Sequence, residues 1–109
     1  MNRQKAKGDN AEREIAKILA DELGMNVRRK LGAGRQDDTG DLDGIPDTTI
    51  QVANWRDVVR AIREKPLGAE QQRHNVGTTF AAALIRLPRG DWRAVLTVEQ
   101  FATYVRNSQ

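Results

Sequence analysis

Three short segments of the chain carry oxygen-bearing side chains in an order that suits phosphodiester chemistry. Glu12 lies in an amphipathic N-terminal segment, Asp41 directly follows a glycine, and Gln51 lies in a β-like segment about ten residues later. Phosphodiester hydrolysis needs an attacking water, stabilisation of the charged transition state and help for the leaving oxygen. Mg²⁺ held by hard oxygen ligands can supply all three. The three residues are therefore candidate ligands of a divalent cation.

Position 53 lacks the residue that this chemistry favours. A lysine on the strand face of Gln51 would orient the attacking water and stabilise the charge of the transition state. Alternate residues of a strand point to the same face, and Ala53 stands where that lysine would be. We therefore predict a nuclease-like site whose cleavage is weak or absent.

Each candidate also has an ordinary structural role. Glu12 lies among other charged residues, which commonly face solvent and complement the dipole of a first helical turn. Asp41 can simply cap a turn, and a glutamine in a strand commonly faces solvent. His74 is the only histidine, so histidine metal clusters and two-histidine acid–base schemes are excluded. The hypothesis therefore depends on the order and spacing of the residues.

Composition and charge bound the class of protein. A chain of 109 residues, 39% hydrophobic and 30% charged, is typical of one folded domain. It has no apolar run long enough to span a bilayer and no signal-peptide stretch, so we expect a cytoplasmic protein with no membrane contact. The absence of cysteine excludes disulfides and thiolate metal sites. A net charge of +3, with 13 arginines among 18 basic residues, mildly favours an anionic partner, and an arginine-rich genome composition would explain it equally well.

The elements that must position the candidate residues follow from hydrophobic periodicity and from turn signals. We predict helices over 9–24 and from about 56 to 65, the second ended by Pro66 and followed by another helical turn or two over 67–75. A last helix is predicted after Thr97. The predicted strands cover 25–31, 41–45, 48–54, 78–87 and 92–96, and the glycine-rich segment 32–40 is predicted to be a flexible loop. The order α-β-β-β-α-β-β-α indicates an α/β fold, in which helices flank a central mixed sheet in a single domain over 1–109.

The same patterns assign faces and helix ends. Ile50 and Val52 should point to one face of their strand, with Gln51 and Ala53 on the other. Asp9 or Asn10 is the predicted start of the first helix, and Gly24 is its predicted end. The residues expected to face the core from the two later helices are Val58, Val59, Ile62, Phe101, Tyr104 and Val105.

The order of the candidate segments resembles the PD-(D/E)XK nuclease superfamily, and within it the archaeal-type Holliday-junction resolvases and their phage relatives. Segment 7–15, KGDNAEREI, resembles the N-terminal Lys-Gly-x-x-x-Glu-Arg-Glu-Ile/Leu motif of these resolvases. Segment 40–42, GDL, resembles the metal-binding aspartate motif. Segment 50–54, IQVAN, resembles the strand that normally reads apolar-Glu-Val-Lys. The resemblance covers residues 4 to about 60.

The resemblance implies a fold, a site and a partner. It implies a restriction-endonuclease-like fold with a site for Mg²⁺ or Mn²⁺, in which Glu12 is the helix carboxylate and Asp41 and Gln51 are ligands. It also implies a homodimer that binds a four-way DNA junction and makes paired nicks. A phage or prokaryotic source would suit the small size. Arginines and lysines around the glycine loop and beyond are the candidate DNA contacts, namely Lys7, Arg28, Arg29, Lys30, Arg35 and Arg56.

Ala53, the position of the expected lysine, leaves three explanations open. The chain has a deliberate substitution that traps substrate, or a basic residue such as Arg56 or Lys30 acts from elsewhere, or the domain has become a DNA-binding module. We favour the first, because Asn54 and Trp55 continue the segment normally. The alternative function is a non-catalytic DNA-binding accessory protein of recombination or repair. A general interaction protein that binds no nucleic acid is a third class.

Overall fold

The computed structural model describes residues 3–30 and 40–109 of the chain. The described elements follow the predicted order. They are α1 (Arg3–Leu23), β1 (Arg28–Arg29), β2 (Leu42–Asp43), β3 (Thr48–Ala53), α2 (Val58–Val76), β4 (Phe80–Arg86), β5 (Trp92–Val95) and α3 (Val98–Asn107). The glycine-rich segment predicted to be a flexible loop lies, except for Gly40, outside the described residues.

The described strands form a mixed three-stranded sheet and a separate two-stranded one. The three-stranded sheet has the order β3-β4-β5, with β3 and β4 parallel and β4 and β5 antiparallel. Helix α2 makes the long crossover that a parallel pair requires. Strands β1 and β2 form a short antiparallel pair. The α/β class with a mixed sheet, as predicted, is therefore confirmed.

Helices cover both faces of the three-stranded sheet. On one face, Ala11 and Ile15 of α1 pack against Ile50 and Val52 of β3 in the larger hydrophobic cluster. The second cluster lies on the other face, where α2 contributes a fully buried alanine. Strand β4 is buried from Ala81 through Ile85, as predicted for a strand covered on both sides.

The first helix begins earlier than predicted. It starts at Arg3 and continues through Gly8, so neither Asp9 nor Asn10 is its N-cap. The preceding residues are good helix formers, and a helix interior tolerates one glycine at a cost of about 1 kcal/mol. The predicted end is confirmed, since Gly24 has a φ of 65° and its N–H donates to the Ala20 carbonyl oxygen at 2.9 Å.

Helix α2 does not end at Pro66, and its inward face differs from the predicted one. Pro66 is buried inside one continuous helix, because packing against the sheet outweighs the backbone hydrogen bond that proline lacks. Val59 and Ile62 are exposed instead of buried. The buried residues of this helix are Ala61, Pro66, Ala69 and Gln72. Small side chains therefore set the distance between the helix and the sheet.

Helix α3 begins as predicted but turns a different face inward. The Thr97 side chain caps it by accepting from the Gln100 N–H at 3.1 Å. The Gln100 amide is buried and donates to Glu70 of α2 at 2.8 Å, and Tyr104 stacks on Phe80. Those contacts fix the rotation of the helix. Phe101, predicted to be buried, is consequently 59% exposed.

Within the described ranges, none of the helices combines the length and the apolar character that crossing a lipid bilayer requires.

Candidate functional site

Asp41 is fixed against the edge of β3 that points away from β4, at the level of Gln51. Its backbone N–H donates to the Ile50 carbonyl oxygen, and its carboxylate Oδ2 accepts from the Val52 N–H, both at 2.7 Å. These two backbone groups bracket Gln51 along the strand. Gly40 makes the approach possible, because its φ is 99° and a Cβ there would lie 3.1 Å from the Ile50 oxygen. The backbone conformation and the close approach to β3 therefore explain why a glycine precedes Asp41.

Glu12 reaches the same region from α1. Burial raises the pKa of Glu12 above 4.5, and the nearby charge of Asp41 raises it further, while a hydrogen bond from Arg29 lowers it. The Arg29 guanidinium donates to Glu12 Oε1 at 3.1 Å and pairs with Asp9 at 2.9 Å. Glu12 and Asp41 are therefore electrostatically coupled carboxylates, and Arg29 offsets part of their repulsion.

Gln51 has its side chain on the α2 side of the sheet. Its Oε1 accepts from the Nζ of Lys65 at 2.8 Å. Gly68 lies over the amide, since a Cβ built there would be 3.7 Å from Gln51 Nε2. The strand alternation predicted from the sequence is confirmed, but the lysine contact was not predicted.

Ala53 is two residues further along β3, on the same face of the strand as Gln51. Its side chain points into the core between β3 and α2. Its side chain is 2% exposed and packs with Ala61, Ala83 and Ile85. The space around position 53 is thus filled by the alanine of α2. No structural feature marks the position as a missing lysine.

The chemistry open to this group depends on two carboxylates and neutral oxygen atoms. Among the described residues, no three His, Cys, Asp or Glu side chains come together as a metal-binding group. Glu12 and Asp41 repel each other, and a cation between them would relieve that repulsion. The Gln51 amide oxygen has a second lone pair beside the one used by Lys65. In charge and donor type, these residues fit a hard divalent cation.

The candidate DNA-contact residues differ in the ion pairs and hydrogen bonds that they already make within the protein. Arg28 pairs with Asp43 at 3.1 Å, and Arg29 is held by Glu12 and Asp9 as described above. Arg56 is exposed, and Lys30 donates its backbone N–H to the Asp41 carbonyl oxygen at 2.9 Å. Arg35 lies outside the described residues.

Lys7 lines a cleft at the end of the sheet where the parallel strands finish. The cleft has a volume of about 720 Å³, and Asn54 and Arg86, which end or follow β3 and β4, line it with Asn10 and Glu14 of α1. The Arg86 guanidinium is already bound to Glu14 at 3.0 Å. The predicted contact between Lys7 and DNA stays a prediction.

Lys65 is the residue of this site that sequence reasoning missed. The sequence prediction ended the helix at this residue and gave its inward positions to Val58, Val59 and Ile62. If the helix is continued, Ala61, Lys65 and Ala69 fall at four-residue spacing on one face. A half-buried lysine between two buried alanines is a signal that could have identified it.

Comparison of the chain with family models, with curated proteins and with solved structures gave no match. The resemblance to the PD-(D/E)XK superfamily therefore continues to depend on the motifs within residues 4–60.

Proposed function

We propose that the chain is a metal-dependent DNA endonuclease that cleaves branched DNA, with four-way junctions as its substrate. The observation that carries the proposal is the position of Asp41, fixed by two hydrogen bonds beside Gln51 and close enough to Glu12 to raise its pKa. The two carboxylates are coupled and partly buried, and the Arg29 guanidinium at Glu12 offsets only part of their repulsion, because the pKa of Glu12 is still raised. Groups whose pKa values are perturbed in this way are typical of functional sites.

Each residue has a distinct part in the proposed reaction. Asp41 and Glu12 supply negative oxygen ligands from two elements, and Gln51 supplies a neutral one. When Mg²⁺ or Mn²⁺ is bound, it lowers the pKa of water and polarises the phosphoryl oxygen. The hydrogen bond from the Val52 N–H holds the Asp41 carboxylate in one orientation. The site is thus preorganised by the backbone of β3.

The direct test is an Asp41→Asn substitution. The asparagine oxygen can still accept from the Val52 N–H, so the substitution removes a charge and keeps the geometry. We expect Mg²⁺-dependent nicking of a four-way junction to fall by on the order of 10²–10³-fold. Mn²⁺ binding measured by calorimetry should weaken in parallel.

Asp43→Asn is the matched control for this test. Asp43 lies two residues further along, pairs with Arg28 at the surface and is half exposed. Its substitution should leave nicking and Mn²⁺ binding within about twofold of the wild type, since surface substitutions away from a site have small effects. Equal losses in Asp43→Asn and Asp41→Asn would contradict the site assignment.

The substrate is tested on a panel that holds a four-way junction, a flap, a nicked duplex and a linear duplex. Contacts to phosphates carry no sequence information, so we expect selection by shape with a steep dependence on salt. Equal cleavage of all four DNAs would contradict the assignment as a junction resolvase and would indicate a general nuclease.

A non-catalytic DNA-binding accessory protein is the second candidate. It is favoured by the alanine at position 53, which neither binds water nor carries charge. This candidate predicts junction binding without cleavage in either Mg²⁺ or Mn²⁺. A chain that binds no DNA at physiological salt would instead be a general interaction protein.

A further inference from the structure

Lys65 of α2 places an ammonium group beside Gln51, the neutral member of the proposed site. Its Nζ lies 2.8 Å from Gln51 Oε1 and 5.1 Å from the ring centroid of Trp55, which follows β3. The amide is neutral, so the hydrogen bond orients the ammonium without cancelling its charge. The aromatic face on its other side favours a cation there.

The packing at position 53 explains why a positive charge near Gln51 comes from α2 and not from β3. Ala53 is in contact with Ala61, which has no exposed surface, and Lys65 lies one helical turn after Ala61. The close approach of α2 that fills the space beside Ala53 therefore also carries a lysine over the preceding residue of the same strand face.

The other cations near the site are less suited to this part. Arg60 also lies over Trp55, at 5.3 Å, but its guanidinium is held by Glu64 at 2.8 Å. Arg29 is engaged by Glu12 and Asp9. Arg56, which the sequence offered as a substitute, is exposed beyond the end of β3.

We propose that Lys65 is the catalytic amine of this site and supplies the positive charge that Ala53 lacks. The inference rests on the proposed endonuclease function. In the reaction, the oxygen of water forms a bond to phosphorus as the bond from phosphorus to the leaving oxygen breaks. The proton of the attacking water passes to solvent, and the leaving oxygen takes a proton from solvent. The Lys65 side chain offsets the negative charge that builds up on the phosphoryl oxygens.

The absence of cysteine from the chain makes a sharp test possible. Lys65→Cys introduces a single thiol, and alkylation with bromoethylamine converts it into a side chain that ends in an amine at nearly the length of lysine. Alkylation with iodoacetamide gives a neutral side chain of similar size. The readouts are the single-turnover rate of Mg²⁺-dependent nicking of a four-way junction, Mn²⁺ affinity by calorimetry and the thermal midpoint.

We expect Lys65→Cys to lose on the order of 10²–10³-fold in nicking rate, and aminoethylation but not iodoacetamide to restore most of it. The uncharged forms should bind Mn²⁺ more tightly than the aminoethylated form, because a positive charge beside the cation site is removed. Lys17→Cys, on the exposed face of α1, is the matched control and should change none of the three readouts.

Three results would overturn the inference, and they fall on different parts of it. Nicking by Lys65→Cys at the wild-type rate would show that Lys65 has no part in the reaction, and it would leave the endonuclease proposal unaffected. Equal rescue by both alkylating reagents would show that the side chain only fills space. A wild-type chain that cleaves no branched DNA in Mg²⁺ or Mn²⁺ would remove the proposed function and the role of Lys65 together. If Lys65→Cys lowers the thermal midpoint too far for assay, Lys65→Met and Lys65→Arg provide the same contrast of neutral and charged side chains.

Discussion

Glu12 and Glu14 are two residues apart on α1, but their surroundings shift their pKa values in opposite directions. Glu12 lies towards Asp41 and the sheet, where burial and the Asp41 charge raise its pKa. Glu14 lies towards β4 and β5, where hydrogen bonds from Trp92 and then Arg86 lower its pKa. The difference comes from which helix face each residue occupies. It makes the pair an internal comparison of a ligand candidate with a structural ion pair.

We predict that Glu12→Gln stabilises the metal-free protein at neutral pH. Because the folded state raises the pKa of Glu12, it binds the proton more tightly than the unfolded state. The contribution of Glu12 to stability is therefore lost as pH rises from its ordinary value of 4.5 through the raised one. Thermal midpoints measured from pH 4 to 8 should show the variant above the wild type at the high end, with the difference fading towards pH 4. Added Mn²⁺ should raise the midpoint of the wild type more than that of the variant.

Glu14→Gln is the matched control, and we expect the opposite sign. A lowered pKa contributes stability that is present above the ordinary value of 4.5 and is lost as pH falls through the lowered value. The control should therefore lower the midpoint at neutral pH and respond normally to Mn²⁺. A Glu12→Gln midpoint below that of the wild type at pH 7 would show that the ion pair with Arg29 outweighs burial and the repulsion from Asp41.

At the scale of elements, local patterns predicted β3 well and α2 poorly. The alternation of β3 and the turn before Asp41 follow from period-two hydrophobicity and from a glycine at positive φ, which are properties of the local chain. The rotation of α2 does not, because its valines and isoleucine suggested one face and the packing of small residues selected another. The contact between Lys65 and Gln51 depends on that rotation, so it was out of reach of the sequence patterns.

We predict that Ala53→Lys destabilises the fold by about 2–4 kcal/mol, because overpacking and a buried ammonium both carry a cost. The side chain would meet Ala61 and Ala83, neither of which has exposed surface. Urea unfolding measures the loss, and Ala94→Lys at an exposed position of β5 is the control, expected within about 0.5 kcal/mol of wild type. A stable Ala53→Lys variant with faster nicking would instead favour substitution of an original lysine at this position.

At the scale of the whole molecule, three of the exposed large apolar side chains lie on α3. Val98, Phe101 and Val105 have relative exposures of 79%, 59% and 41%, and their spacing of three and four residues forms one stripe along the helix. Strand β5, an edge of the described three-stranded sheet, leads directly into this helix. A four-way junction has two-fold symmetry, and an enzyme that makes paired nicks gains from the same symmetry. We predict that this stripe is the contact between the two copies of the homodimer that the resemblance implies.

The last prediction is that Phe101→Asp weakens the dimer without unfolding the protomer. In a two-fold interface each Phe101 meets the stripe of the other copy, so one substitution changes both sides. Loss of a central aromatic typically costs about 2 kcal/mol, or roughly 30-fold in dissociation constant. Sedimentation velocity over a concentration series should show this shift, and Val59→Asp, at a position on α2 that is 65% exposed, should not. On a four-way junction the variant should still nick single strands but should lose the pairing of nicks across the junction. A wild-type chain that stays monomeric throughout the series would refute the homodimer, whereas an unchanged dimer in Phe101→Asp would place the interface on another surface.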